Sequence, residues 1–283
     1  MNTPITDPGL TLVVGSTGKT GRRVAARLEG LGVTVRHGSR RAAIPFDWEA
    51  PGTWTPALQD VRAAYVTFVP DLSVPGAPEA IARFADLARE AGVQRLVLLS
   101  GRGESEARRC EQIVAASGLE WAVVRAAWFM ENFSESFLHG MMLGGTVALP
   151  TGGMQEPFVS ADDIADVAVA ALTGQADADR VYDVTGPRLM TFAEAVTEVA
   201  DAAGLSTQYV EIPHDVFLAG LSEHGIPEDY VDLLDYLFRE TLDGRNASLT
   251  TDVQEALGRE PQDLREFARD AAARGAWALE ASR

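Results

Sequence analysis

Short apolar runs recur along the chain and alternate with stretches of helical spacing. Leu10-Thr11-Leu12-Val13-Val14 is the first, of the kind expected of a strand buried on both faces. After a turn, Val24, Leu28 and Leu31 recur at helical spacing, which predicts a helix. Further strand-like runs lie at Val33–Val35, Ala63–Val69, Leu96–Ser100, Trp121–Arg125, Val181–Thr185 and Tyr209–Ile212. Between them, Ile81, Phe84, Ala85 and Ala88 mark one helix, and Cys110, Ile113 and Val114 another. Ser160-Ala161-Asp162-Asp163 has the form of a capping box opening a helix through Ile164, Val167 and Ala171. Thr191-Phe192-Ala193-Glu194 does the same for a helix through Ala195, Val199 and Ala203. From about residue 213 the pattern turns helical, with Tyr230, Leu233, Leu234 and Leu237 forming one apolar stripe.

Strands alternating with helices predict an α/β fold built on a doubly wound parallel sheet. The expected boundaries are 1–150 for a Rossmann-type domain, with 155–185 returning to it, and 186–283 for a smaller, mostly helical substrate domain. In such sheets ligands gather at the carboxyl ends of the strands. Here those ends are Val69-Pro70, Ser100-Gly101 and the stretch after Arg125.

The turn after the first strand reads GSTGKTG, residues 15–21. An NTPase phosphate loop needs GxxxxGK[ST]. Counting back from Gly18, its first glycine would sit where Val13 stands, so that reading fails. Gly15, Gly18 and Gly21 instead have the spacing of a dinucleotide-binding turn, in the strand–turn–helix context the motif demands. Glycine lets the backbone turn sharply and approach a pyrophosphate, while the N–H groups opening the helix, at Lys19 and Thr20, face the anion. A plain structural turn is the remaining alternative.

An NAD-preferring unit carries an acidic residue about 20 positions on, bound to the ribose 2′-hydroxyl. From Gly30 to Phe46 this chain has no Asp or Glu; Arg36, His37, Ser39, Arg40 and Arg41 stand there instead. A 2′-phosphate would explain the cluster, because guanidinium groups bind phosphate bidentately and serine adds a hydrogen bond. That points to NADP(H), with Arg40 and Ser39 as main contacts and Arg36 or Arg41 assisting. A solvated loop is the bland alternative.

Composition narrows the partners. A net charge of −17 disfavours a nucleic-acid backbone. One cysteine, Cys110, excludes an intrachain disulfide and a cysteine metal cluster, and four scattered histidines argue against zinc, so no metal is expected. The start lacks the basic-then-apolar pattern of a signal peptide, and no apolar run approaches the ~18 residues of a membrane span. The expectation is a soluble cytoplasmic protein acting on a small molecule, as a monomer or homodimer.

The segments VVGSTGKTGRRVAARL, the FDW after the basic loop, RLVLLSGRGE, VVRAAWFMENF, EPFVSADDIADVAVAAL and VYDVTGPRLMTFAEAV together resemble the NmrA-like branch of atypical short-chain dehydrogenases/reductases. The start is also similar to ergot-alkaloid reductases of the festuclavine dehydrogenase type. The resemblance implies a Rossmann domain, a small C-terminal substrate domain and bound NADP(H). It implies that Gly15, Thr17, Gly18, Gly21 and Arg40 hold phosphates and that Asp47 sits at the adenine edge. Ser100 and Gly101 would lie near the nicotinamide ribose, and Trp128, Phe129 and Asn132 would line the nicotinamide or substrate side. The branch mixes reductases of quinones, alkenes and imines with non-catalytic redox sensors.

Usual short-chain dehydrogenases protonate through Tyr-x-x-x-Lys. Lys19 is the only lysine here and lies in the glycine turn, and no tyrosine has a lysine four residues on. Alcohol oxidation by that route is therefore disfavoured, whereas quinones, enones and imines need less acid help. Trp128, Phe129, Phe133, Phe137, Met141 and Met142 offer an apolar wall or simple packing, and Glu131, His139 and Tyr182 are candidate proton donors. The two functional readings are an NADPH-dependent reductase and an NADP(H)-binding sensor.

Overall fold

Thr11–Val14 forms the first strand (β1) with all four side chains buried. It pairs in parallel with Val35–Gly38 (β2) on one side and Ala63–Val66 (β3) on the other. The computed structural model describes residues 8–278. In it β1 belongs to a six-stranded parallel sheet completed by Arg95–Gly101 (β4), Glu120–Ala126 (β5) and Arg180–Val184 (β8), in the order β2-β1-β3-β4-β5-β8. The strand order reverses between β1 and β3, which is where doubly wound sheets open their ligand crevice.

Successive strand side chains point to opposite faces. Leu12, Val14, Ala64, Val66, Leu96 and Leu98 share one hydrophobic cluster with residues of Trp54–Leu58 (α2), Ala77–Glu90 (α3) and Ser105–Ala115 (α4). Phe46, Trp48, Trp54 and Phe84 pack together at its end, edge to face for Phe46–Trp48, Phe46–Phe84, Trp48–Trp54 and Trp54–Phe84 and stacked for Phe46–Trp54. On the other face Val13, Tyr65, Val97 and Val124 are buried, and Ala161–Leu172 (α7) lies across β3, β4 and β5 beside Lys19–Gly30 (α1). Arg27 of α1 ties these helices together through Asp162 (2.7 Å) and Asp166 (2.5 Å).

The chain divides into two compact units, and the division differs from the expected one. The sheet unit runs to Ala126, resumes at Ala161–Val184 and takes back Thr251–Arg259. The boundary thus lies at the end of β5 and not at 150. Met130, Phe133, Leu138, Met142, Val147, Leu149 and Phe158 belong to a second hydrophobic cluster with Phe192, Val196, Phe217, Phe238 and Phe267. The returning segment contains Asp252–Leu257 (α11). It is held by charge: Arg180 binds Asp252 (2.5 Å) and Glu255 (2.6 Å), and Arg259 binds Asp163 (2.6 Å). Apolar periodicity carries no trace of such contacts.

The second unit contains Asn132–Glu135 (α5), Phe137–Leu143 (α6), Thr146–Leu149 (β6), Gln155–Glu156 (β7), Met190–Thr191 (β9), Phe192–Ala203 (α8) and Gln208–Glu211 (β10). His214–Glu223 (α9), Glu228–Tyr236 (α10) and Leu264–Ala273 (α12) complete it. The run at Tyr209–Ile212 does not join the main sheet; β10 pairs in parallel with β6, a strand that the apolar pattern did not announce. In the predicted stripe Leu233 and Leu234 are buried, whereas Tyr230 is exposed. No helix among the described residues is long and apolar enough to cross a membrane.

The box at Thr191 closes as its sequence requires. The Thr191 hydroxyl accepts from the Glu194 N–H (3.2 Å), and Glu194 Oε2 accepts from the Thr191 N–H (2.8 Å). Thr191→Ala is expected to cost about 1 kcal/mol. A calorimetric unfolding midpoint lowered by a few degrees checks this, and an unchanged midpoint refutes it.

Candidate cofactor and active site

At the end of β1 the chain turns through Gly15 at φ +69°. The Gly15 N–H donates to the Gly38 carbonyl (2.8 Å), and the Gly18 N–H donates to the Gly15 carbonyl (2.8 Å). A Cβ on Gly15 would lie 2.2 Å from Thr67 Oγ1, and one on Gly21 would lie 2.1 Å from the Gly15 oxygen. Both clashes leave no room for a side chain. Gly18 is the extended N-cap of α1 and supplies no side-chain cap, and a helix N-terminus favours an anion. Thr17 and Gly18 are exposed, Lys19 is half-buried and Thr20 is buried. Ser16, which the glycine spacing did not single out, has a buried Oγ without a hydrogen-bond partner among the described residues. A turn closed to side chains, an uncapped helix start and an orphaned hydroxyl fit a pyrophosphate.

The basic cluster splits in two. Arg36 lies inside β2 and donates to the carbonyls of Ala57 (2.9 Å) and Gln59 (2.5 Å), so it anchors the strand and does not assist at a phosphate. His37 meets Glu29 at 3.1 Å, an acid just upstream of the acid-free interval. Beyond the strand, the Ser39 carbonyl closes a loop by accepting from the N–H groups of Ala42 (3.2 Å) and Phe46 (3.0 Å). Arg40 and Arg41 stand exposed on that loop without a hydrogen-bond or ion-pair partner among the described residues. Asp47 follows; its carbonyl accepts from the Trp54 indole N–H (2.7 Å), and its own N–H donates to the Thr53 hydroxyl (3.0 Å). The aromatic cluster around Phe46 and Trp48 thus fixes this position.

At the next strand ends, Val69 and Pro70 are exposed. Ser100 is buried and donates to Glu111 Oε1 (2.6 Å), so its hydroxyl is turned into the protein. Glu111 also receives Arg125 through Nε (2.9 Å) and Nη2 (2.5 Å), a bidentate pair that holds Arg125 firmly in its charged form. Arg102 binds Asp183 (2.9 Å) alongside. Burial pushes the Asp183 carboxyl upward while Arg102 and Arg125 pull it back. Gly101 makes room for the Glu104 carboxyl, which is 6% exposed. Burial, and then the Asp71 and Glu111 carboxylates, push the Glu104 carboxyl well above the usual range. Sequence reasoning missed Glu104, Glu111 and Arg125, because nothing in linear spacing marks three charges that meet through two strands and a helix.

In the second unit, Trp128 packs against Phe192 and Phe238, and its indole N–H is buried without a partner among the described residues. Phe129 is half-buried and bridges Val159 through its backbone, and Asn132 opens α5. Phe133 and Met142 are fully buried, so the apolar wall loses both to the core. Two candidate donors are occupied. The His139 imidazole is bound to the Ala276 carbonyl (2.8 Å), and the Tyr182 hydroxyl donates to the Asp177 carbonyl (2.8 Å). Glu131 is fully buried at the start of α5.

Two measurements follow. Gly21→Ala should abolish detectable coenzyme binding by calorimetry, because its Cβ falls on the Gly15 oxygen; retained affinity would mean the turn yields. Arg125→Met leaves Glu111 buried without its counter-ion and should destabilise by about 3–5 kcal/mol in denaturant unfolding, with most of that recovered in Arg125→Met/Glu111→Leu.

A family model described as NAD(P)H-binding matches residues 15–175. The uncharacterized oxidoreductase YesF of Bacillus subtilis is 31% identical over 270 residues, covering 91% of this chain and 93% of its own length. Festuclavine dehydrogenase of Aspergillus fumigatus is 28% identical, with 93% and 98% covered. The crystal structure of an NADPH-dependent quinone oxidoreductase from Escherichia coli, complexed with NADPH, shares the fold at a TM-score of 0.73 and 19% identity, with 92% and 99% covered. A turn with room for backbone alone and the match over more than half the chain agree: the protein belongs to the NAD(P)H-binding family of oxidoreductases.

Proposed function

We propose that the protein is an NADPH-dependent reductase that passes hydride to a small flat acceptor of quinone, enone or imine type. The observation that carries this reading is a side-chain-free phosphate turn next to two unpartnered arginines, Arg40 and Arg41, in a chain of net charge −17. Elsewhere in the described chain, arginines are repeatedly bound to carboxylates, as Arg27, Arg125, Arg180, Arg188 and Arg259 are. Two exposed guanidinium groups left open after β2 suit a 2′-phosphate, with Ser39 beside them.

The coenzyme, when bound, supplies a hydride from its nicotinamide. The chain's part is to hold the pyrophosphate at Gly15–Gly21, the 2′-phosphate at Ser39–Arg41 and the adenine side at Asp47. Val69, Pro70 and Gly101 border the same strand ends, and Trp128, Phe129 and Asn132 are the proposed acceptor-side residues. With no lysine outside the glycine turn, the usual tyrosine–lysine proton relay is missing. Acceptors that take hydride readily are the ones this arrangement suits. The names of the festuclavine dehydrogenase and quinone oxidoreductase relatives point the same way.

Arg40→Ala should weaken NADPH by about tenfold or more, the loss of one charged hydrogen bond, while NADH changes by less than about twofold. Equal losses for both coenzymes would reject the 2′-phosphate assignment. NADPH oxidation across a panel of quinones, enones and cyclic imines tests the activity. Tight coenzyme binding without turnover of any of them would replace the reductase by a redox sensor, the reading that the missing relay also favours.

A further inference from the structure

Protonation is the unsolved half of that reaction. A quinone, enone or neutral imine takes a hydride at one atom and a proton at another. The hydroxyl and imidazole groups of Ser100, Tyr182 and His139 are all engaged in hydrogen bonds of their own. Glu104 keeps one carboxyl oxygen open. It occupies the N-cap of α4 yet makes no capping bond to its helix. Its carboxyl turns back onto the end of β4, where Oε1 lies 1.9 Å from the Cβ that Gly101 lacks. Its Oε2 is buried without a hydrogen-bond partner among the described residues, and the residue is 6% exposed.

We propose that Glu104, backed by Asp71, holds the proton for the reduction and delivers it at the carboxyl edge of β4. The inference rests on the reductase reading above. Its location is the edge at which doubly wound sheets bind ligands, beside the loop after β3 that carries Val69, Pro70 and Asp71. The charged groups facing it are Asp71 from that loop and Glu111 from α4, the latter neutralised by Arg125 of β5. Arg102, in the same loop as Glu104, is bound to Asp183. Burial and the Asp71 charge therefore favour the neutral, proton-bearing form of this carboxyl. Asp71 is half-buried and held by the Ser73 N–H on Oδ1 (2.8 Å), which leaves it in reach of water. In the step, the Glu104 O–H bond breaks as an O–H or N–H bond forms on the acceptor, whose carbon has gained the hydride. The carboxylate left behind regains a proton from water through Asp71.

The full-length enzyme with NADPH separates the possibilities with two acceptors. An enone needs hydride and proton, whereas a triarylmethyl cation dye needs hydride alone. Glu104→Gln should slow enone reduction about 100-fold and change dye reduction by less than about twofold. Equal losses on both acceptors, or an unchanged enone rate, overturn the assignment. Wild-type enzyme that turns over neither acceptor defeats the reductase reading instead.

Calorimetry gives a readout independent of turnover. A carboxyl whose value is raised on folding stabilises below its unfolded value, about 4.3, and loses that contribution as pH rises through the folded value. Glu104→Gln should therefore match the wild-type midpoint in acid and exceed it increasingly toward alkaline pH. A difference that does not grow with pH overturns the proposal. Should Glu104→Gln not fold, Asp71→Asn removes the neighbouring charge and should shift the alkaline fall of enone reduction to lower pH; an unmoved profile overturns the proposal as well.

Discussion

The contact on which the rest of this structure depends is backbone against backbone. The first turn of α1 docks on the Gly15 carbonyl so closely that a methyl group on Gly21 would sit 2.1 Å from the oxygen. No side chain can be moved aside to relieve such a clash, because the obstacle is main chain at both ends. The approach brings the helix start directly over the end of β1. It sets the angle at which α1 leaves the sheet, and so where α1 meets α7 and how Arg27 reaches Asp162 and Asp166. Gly38 extends the same constraint into β2, where an added Cβ would lie 2.9 Å from the Val13 oxygen. Three backbone segments thus crowd one corner, where a pyrophosphate must come close.

Much of this corner was legible in the sequence because its causes are local. Glycine spacing, a doubly buried strand and a helical apolar repeat all lie within twenty-odd residues of one another. The main-sheet strands were legible for the same reason, since Leu12–Val14, Leu96–Leu98 and Ala122–Val124 are apolar on both faces. What escaped was decided by partners far along the chain. Strand β6 has a partner some sixty residues away, and its residues do not stand out as a run. The return of 251–259 to the sheet unit is written in Arg180, Asp252, Glu255 and Arg259, whose meaning appears only when the ends meet. Arg36 shows the converse error. Composition grouped it with Arg40 and Arg41, but strand geometry placed it inside β2, where two carbonyls claim it.

Charge explains which cations remain for a ligand. The chain has 41 acidic residues against 24 basic ones. Most neighbourhoods therefore offer an arginine a carboxylate, and the fold pairs them accordingly. The interval from Gly30 to Phe46 is different because it contains no acid of its own. Glu29 reaches back only as far as His37. Arg40 and Arg41 stay open less through any special property than because the local sequence withholds a counter-ion. In an anionic protein such a gap concentrates positive potential at one loop, where a polyphosphate ligand gains most from it.

The same imbalance shapes the acid–base chemistry. Outside Lys19 every side-chain cation other than histidine is an arginine, and a guanidinium does not release its proton in a protein. Arginines at the β4–β5 edge can therefore fix charges but cannot relay protons. Glu111 illustrates the fixing: Arg125 grips both its oxygens, and Ser100 adds a third bond. A carboxyl there holds its proton more tightly when it is buried away from arginine and close to another carboxylate. Glu104 meets both conditions, since the causes that raise it are burial, Asp71 and Glu111, with no cation among them. Where the usual relay lowers the affinity of a tyrosine for its proton with a lysine, this edge raises the affinity of a carboxyl with a second carboxyl. The first route needs a lysine beside the tyrosine, and the single lysine of this chain, Lys19, lies in the glycine turn.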